Sequence, residues 1–278
     1  MNIYDIAKLA NVSIATVSRV VNNSPKVSPK TKEKVLAVMK ENEYTPNAFA
    51  RGLGLGSMKT VGIICPNIDD IYMAKAVSYL ERNLHAHGYD CILGCSGFKQ
   101  EEKEDYVRLL LSKKIDTLIL VGSTYAGNGK DESDTDYIRE AAEQVSIFMI
   151  NAKVSGDNIY CTYADDFQAT YEVTKAFIRR GKEKILFMYD SESYSARQKM
   201  AGYEAALQDA GYPIRGNLKF KTKNDIEYTR DMLLEYNRTL DFDSVLATED
   251  GIAIGAVKCA KIKGLAIPEE LAVAGYNN

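Results

Sequence analysis

Along the first 42 residues, apolar side chains recur at helical spacing, interrupted twice by short polar stretches. Ile6, Ala7, Leu9 and Ala10 make one apolar face, Val12 fills the turn after it, and Val17, Val20 and Val21 make a second face. Ser13 precedes the second run as an N-cap, with a hydroxyl oxygen for orphan backbone N–H groups. The pattern predicts two short helices joined by a tight turn. A third helix is predicted from Ser28, with Pro29 at its first position and Val35, Leu36, Val38 and Met39 as its apolar side. On the second helix, Ile14, Ala15, Ser18, Arg19 and Asn22 are left facing outward as a single stripe that starts at the helix N-terminus. In a helix-turn-helix such a stripe enters the major groove of DNA. A small helical pair buried in a core would show the same spacing.

From Thr60 the periodicity changes to short, continuously apolar runs separated by helix-length segments. The first set is Val61–Cys65, Tyr89–Leu93, Thr117–Val121 and Ile147–Ile150; the second is Ile185–Tyr189, Ser244–Ala247 and Leu271–Gly275. Continuous apolarity implies strands covered on both faces, hence parallel, doubly wound sheets. Between the two regimes, Tyr44–Lys59 reads as a linker. Thr45 and Pro46 can start a short helix, Asn47–Leu53, ahead of Gly54-Leu55-Gly56-Ser57. So short a helix is unstable alone, and Gly52 and Gly54 each cost roughly 1 kcal/mol relative to Ala, so it orders only when held.

Several motifs are specific. Tyr4-Asp5-Ile6-Ala7, Val12-Ser13, Thr16-Val17-Ser18-Arg19-Val20-Val21-Asn22, Val27-Ser28 and Tyr44-Thr45-Pro46-Asn47-Ala48 resemble the DNA-binding headpiece of the lactose/galactose repressor (LacI/GalR) family. The segments Arg179–Ile185, Ala201–Leu207 and Pro268–Asn278 are similar to the two-lobed, periplasmic-binding-protein-like sensor of the same family. The resemblance implies a helix-turn-helix headpiece over 1–45, a hinge helix and linker over 46–59, an N-terminal α/β lobe over 60–160 and a C-terminal α/β lobe over 161–278. Family members continue for about another strand, helix and crossover, so the last lobe is expected to be incomplete.

The resemblance also extends the DNA-facing set beyond the stripe to Tyr4, Ser13, Thr16, Ser28 and Thr31. It places Asn47 and Ala50 in the minor groove, with Leu53 as the apolar wedge between base steps. It implies a homodimer on a double-stranded operator, since two identical headpieces require two-fold symmetry. Met73, Val77, Leu80 and Leu84 repeat at helical spacing on the first sensor helix. In the family that helix helps form the subunit interface, although core packing explains the same spacing.

Charge sharpens the division. Residues 1–60 hold nine Lys or Arg against four Asp or Glu, and the remainder holds 26 against 34, within a net charge of −3. A basic head on an acidic body suits phosphate contact at one end only. No apolar run reaches a membrane span and the N-terminus carries no secretory h-region, so a cytoplasmic protein with no membrane partner is expected. A solute-binding sensor without a DNA role, the competing reading, lacks that signal and leaves the headpiece unused.

Five cysteines, Cys65, Cys91, Cys95, Cys161 and Cys259, form no C-x-x-C pair and read as buried free thiols rather than a metal or disulfide framework. The two histidines, His85 and His87, face different ways on a helix, and no G-x-S-x-G, H-E-x-x-H or P-loop occurs. Neither an enzyme, a metal nor a cofactor is indicated.

Ligands of open parallel sheets sit beyond the carboxyl ends of the strands. The polar residues just past the strand ends are Asp69, Asp70, Tyr72, Ser96, Gly122, Ser123, Asn151, Asp190, Glu249, Asp250 and Asn277, with Gly122 as the one apolar member. Carboxylates, amides and hydroxyls above an aromatic face suit a sugar or another polyhydroxylated effector. By resemblance, Asp70, Tyr72, Met73, Asn151, Glu249, Asn277 and Lys199 match effector-contacting positions. Arg197 joins the candidates, although Arg197 and Lys199 could instead pair with Glu192 or Glu204.

Overall fold

A computed structural model describes residues 1–45, 57–128, 131–236 and 241–277. The headpiece has helices α1 (Ile3–Leu9), α2 (Ile14–Val21) and α3 (Pro29–Glu41). Each start is built by a local side chain. Asn2 and Asp5 form a reciprocal capping box, Ser13 Oγ accepts from Thr16 N at 3.2 Å, and Ser28 Oγ accepts from Thr31 N at 3.3 Å. Ile6, Ala7, Ala10, Val17, Val20, Val35 and Met39 form the core, flanked by half-buried Val12, Val21 and Val38. Leu9 and Leu36 depart from expectation, being 53% and 45% exposed, because three short helices close over the inner residues before reaching these two.

The first α/β lobe alternates β1 (Thr60–Cys65), α4 (Ile71–Ala86), β2 (Asp90–Cys95), α5 (Gln100–Ser112), β3 (Thr117–Val121), α6 (Asp136–Ala142), β4 (Ser146–Ile150) and β5 (Ile159–Thr162). All pairings are parallel, in the order β2-β1-β3-β4-β5. Strand period two sends Val61, Ile63 and Cys65 to the α4 side and Ile64 to the side of α5 and α6. Val77 is buried there and Met73, Leu80 and Leu84 pack beside it, so the apolar stripe of α4 is core. The helix turns Ile71 and Tyr79 outward instead, 72% and 62% exposed.

The second lobe comprises α7 (Asp166–Arg179), β6 (Ile185–Tyr189), α8 (Tyr194–Asp209), β7 (Lys219–Lys221), α9 (Ile226–Tyr236), β8 (Ser244–Ala247), α10 (Asp250–Ile262) and β9 (Ala272–Ala274). Its strands are again parallel, in the order β7-β6-β8-β9. Helices α7 and α8 cover one face through Phe177, Tyr203 and Leu207; α9 and α10 cover the other through Leu233, Ile252, Ala256 and Cys259. At Gly202 on α8 a Cβ would lie 2.2 Å from Phe167 O of α7, so only glycine permits this approach.

One carboxylate performs the same task in each lobe. Asp116, before β3, accepts from Thr60 N at 3.0 Å, Met58 N at 3.0 Å and Ser57 Oγ at 3.1 Å. Asp243, before β8, accepts from Glu183 N at 2.8 Å and Lys184 N at 3.1 Å. Both tie the entry of the first strand of a lobe to its neighbour. Expectation and structure differ at the sheet edges. Strand β5 comes from an apolar run of only three residues, Ile159-Tyr160-Cys161, and β7 from none, and edge strand β2, packed through Cys91 on one face and Ile92 on the other, still leaves Leu93 and Cys95 exposed. Cys65 and Cys259 are buried as expected, Cys91 and Cys161 are half-buried, and all five thiols are free.

Candidate functional site

Two surfaces gather the candidate residues. On the headpiece, capping by Ser13 orients α2 so that Val17 and Val20 point inward and Ile14, Ala15 and Arg19 outward. Ile14 is 42% exposed, an apolar side chain held in water at a helix N-terminus. Ser18 is half-buried. Asn22 is half-buried too, forming the C-cap of α2, and its Oδ1 is buried without a partner among the described residues. Ser13 and Ser28 are committed to capping, and their hydroxyls also lie 2.9 Å from those of Thr16 and Thr31. Tyr4 is 66% exposed. Asn47, Ala50 and Leu53 lie outside the described residues.

The second surface is a cavity of about 350 Å³ at the carboxyl ends of the strands, walled by both lobes. The N-terminal lobe contributes Asp69, Asp70, Tyr72, Met73, Gly122, Ser123 and Asn151; the C-terminal lobe contributes Asp190, Lys199, Glu249 and Asn277. Local geometry sets these positions. Asp70 is the N-cap of α4, its Oδ1 accepting from Met73 N at 2.9 Å. Gly122, φ 129°, passes within 3.2 Å of Met73 and Pro66, counted from where a Cβ would stand. Asn151 and Asn277, directly beyond β4 and near the end of β9, adopt φ 62° and 90°, the left-handed region that asparagine tolerates.

Lys199 is the main cation of the cavity and is 4% exposed. Its Nζ donates to Thr248 O at 3.1 Å, stands 3.6 Å from the centroid of the Tyr276 ring and lies 3.9 Å from Glu249 Oε1. Burial lowers the Lys199 pKa, and attraction to Glu249 offsets part of that. Burial raises Glu249 to about 7; Lys199 opposes this, whereas Asp190 and Asp70 reinforce it, and Asn277 Nδ2 donates to Oε2 at 2.8 Å. Burial likewise raises Asp190. The result is a polar recess with a partly neutralised carboxyl on one lobe facing a carboxylate on the other.

Arg197 and Asp250 are not brought into this wall. Arg197 Nη1 donates to the carbonyls of Gly127 at 3.1 Å and Glu192 at 2.8 Å, which ties α8 to the opposite lobe. Asp250 opens α10. Ser96 is buried against Tyr125 Oη at 2.7 Å. Several wall residues escaped the sequence reading: Asn67, Phe98, Thr124, Ser191, Ser193, Ser195, Asn224 and Thr248. Ser191 and Thr248 lie at strand ends and were recoverable by the same rule that selected Asp190 and Glu249. Asn224 and Phe98 lie farther along their loops. Among the described residues no cluster has metal-ligand composition, and no helix is long and apolar enough to cross a membrane.

Residues 2–47 match the model of bacterial regulatory proteins of the lacI family, and residues 58–278 match that of periplasmic binding proteins and the sugar-binding domain of the LacI family. An HTH-type transcriptional regulator of Lachnoclostridium phytofermentans is 47% identical over 279 residues, covering 100% of this chain and 83% of the relative. Catabolite control protein A of Staphylococcus xylosus is 32% identical, covering 100% and 82%. A crystal structure of the lac repressor dimer bound to operator and the anti-inducer ONPF shares the fold with a TM-score of 0.86 at 23% identity, covering 100% of this chain and 82% of that one. The chain belongs to the LacI family of bacterial DNA-binding transcriptional regulators.

Proposed function

We propose that the protein is a cytoplasmic repressor that binds a palindromic operator as a homodimer and is switched by a small polyhydroxylated effector, a sugar in the first instance. The observation that carries this reading is the pairing, in one chain, of an exposed α2 stripe with a polar cavity whose walls come from both lobes. Ile14, Ala15 and Arg19 supply base readout, with Ser18 and Asn22 at the margin. Arg19 is suited to a bidentate contact with guanine, and Ile14 and Ala15 to thymine methyl groups. Tyr4, Thr16 and Thr31 add contacts to the backbone of the duplex, as do the N-termini of α2 and α3 at Ser13 and Ser28. Asn47, Ala50 and Leu53 supply the minor-groove element.

Asp70, Tyr72, Met73, Ser123, Asn151, Lys199, Glu249 and Asn277 hold the effector. Closure of the lobes on it changes the separation of the paired hinges and so the fit to the groove. Dimerisation uses the outward side of α4, where Ile71 and Tyr79 are exposed. The test is selection of operators from random DNA by the full chain, then titration of each site with and without candidate sugars. Arg19→Ala should cost roughly 1–3 kcal/mol and relax preference at one base pair per half-site. A loss uniform over all sequences would make Arg19 a phosphate clamp, and failure to select any palindrome would overturn the reading.

A further inference from the structure

The charge of the cleft is more specific than a sugar site requires. Among the described residues of its wall the charged side chains are four carboxylates and one ammonium group. Asp70 on one lobe and Asp190 with Glu249 on the other line the same cavity, near enough that Asp70 disfavours ionisation of Asp190, and Asp190 and Asp70 that of Glu249. Lys199, the countercharge, is engaged by Thr248 O and the Tyr276 ring and stands 3.9 Å from Glu249 Oε1, so one ammonium group faces four carboxylates. Beside it the Thr248 hydroxyl, on a residue 2% exposed, has no partner among the described residues. A buried hydroxyl without a partner is costly, and a ligand hydroxyl would satisfy it. A ligand spanning the cleft must pass between Asp70 and the Asp190–Glu249 pair. A phosphate there meets three carboxylates, whereas an ammonium group relieves their repulsion and joins the lobes.

We propose that the cleft selects a cationic polyol of the amino-sugar class, its ammonium group set among Asp70, Asp190 and Glu249 and a hydroxyl received by Thr248. The inference rests on the cleft being the effector site. Glu249 faces Lys199, Asp190, Asp70 and the Asn277 amide, and it holds a proton up to about pH 7 in the unliganded protein. Binding of the cation expels that proton, so affinity should be about fivefold weaker at pH 6 than at pH 7.

The experiment is calorimetric titration of the full chain with glucosamine, galactosamine and mannosamine. Each is paired with its N-acetyl derivative, its parent hexose and the hexose 6-phosphate. The expected result is binding of an amine that weakens by about tenfold or more on N-acetylation. Glu249→Gln and Asp190→Asn should each weaken the amine by a similar factor and narrow its advantage over the parent hexose. An N-acetyl derivative, hexose or phosphate that binds as tightly as the amine overturns the proposal, as does the failure of all three amines to bind. A neutral hexose that binds and shifts operator affinity would overturn the charge assignment while upholding the sensing role. An amine that binds without moving operator affinity would overturn the sensing role alone.

Discussion

Replacing Glu249 by glutamine should stabilise the protein, and only above acidic pH. Glutamine keeps the shape and the acceptor that Asn277 Nδ2 uses at 2.8 Å, and it stands in for the protonated acid. The carboxyl titrates near 7 in the folded protein against 4.5 in an unperturbed chain, and its side chain is 24% exposed. At about 1.4 kcal/mol per pH unit, the ionised form is disfavoured in the fold by about 3 kcal/mol, which water in the open cleft trims to about 1–3 kcal/mol. Below pH 4.5 both states hold the proton and the wild type suffers no penalty. Between 4.5 and 7 the unfolded chain has released its proton while the folded chain retains it, so wild-type stability falls as pH rises. Above 7 the full penalty persists.

Glu249→Gln should therefore match the wild type near pH 4.5 and exceed it by about 1–3 kcal/mol at pH 8. Urea unfolding of the ligand-free chain at pH 4.5, 6, 7 and 8, monitored by circular dichroism because the chain has no tryptophan, measures the difference. A gap that does not vary with pH, or a variant weaker at pH 8, would refute the reasoning. Attraction to Lys199 would then outweigh the cost of burial.

Gly202→Ala drives a methyl group into the Phe167 carbonyl, so α7 and α8 must separate; a loss of about 3 kcal/mol is expected in thermal melts. Asp116→Ala removes the acceptor of three hydrogen bonds at the entry of β1, with an expected cost of about 2 kcal/mol and a weaker effector response in operator titrations. Lys199→Met withdraws the cation that opposes the rise of Glu249, so its titration, tracked by carboxyl NMR shifts, should move above 7.

The central strands and the three headpiece helices were legible because burial on both faces, or a cap ahead of a periodic apolar face, leaves a local signature. Ser13 and Ser28 cap as their spacing implies. Strands β5 and β7 were not legible. Ile159-Tyr160-Cys161 is an apolar run of only three residues, whose positions turn out half-buried and exposed in alternation, and Lys219–Lys221 is mostly charged, so neither carries the signature of a strand covered on both faces. The cavity could be drawn in outline from strand ends. Long side chains were the weak point: Arg197 and Lys199 are two residues apart on α8, yet one reaches across to Gly127 while the other is buried beneath Tyr276. Sequence spacing separates their directions and does not say which direction meets the ligand.

The Asp116 anchor has a mechanical consequence. Because Ser57, Met58 and Thr60 all hang from one carboxylate at the root of β3, they turn with the sheet as a single piece. Reorientation of the N-terminal lobe therefore reaches Ser57 at full amplitude, as a shaft keyed to its gear delivers every degree it receives.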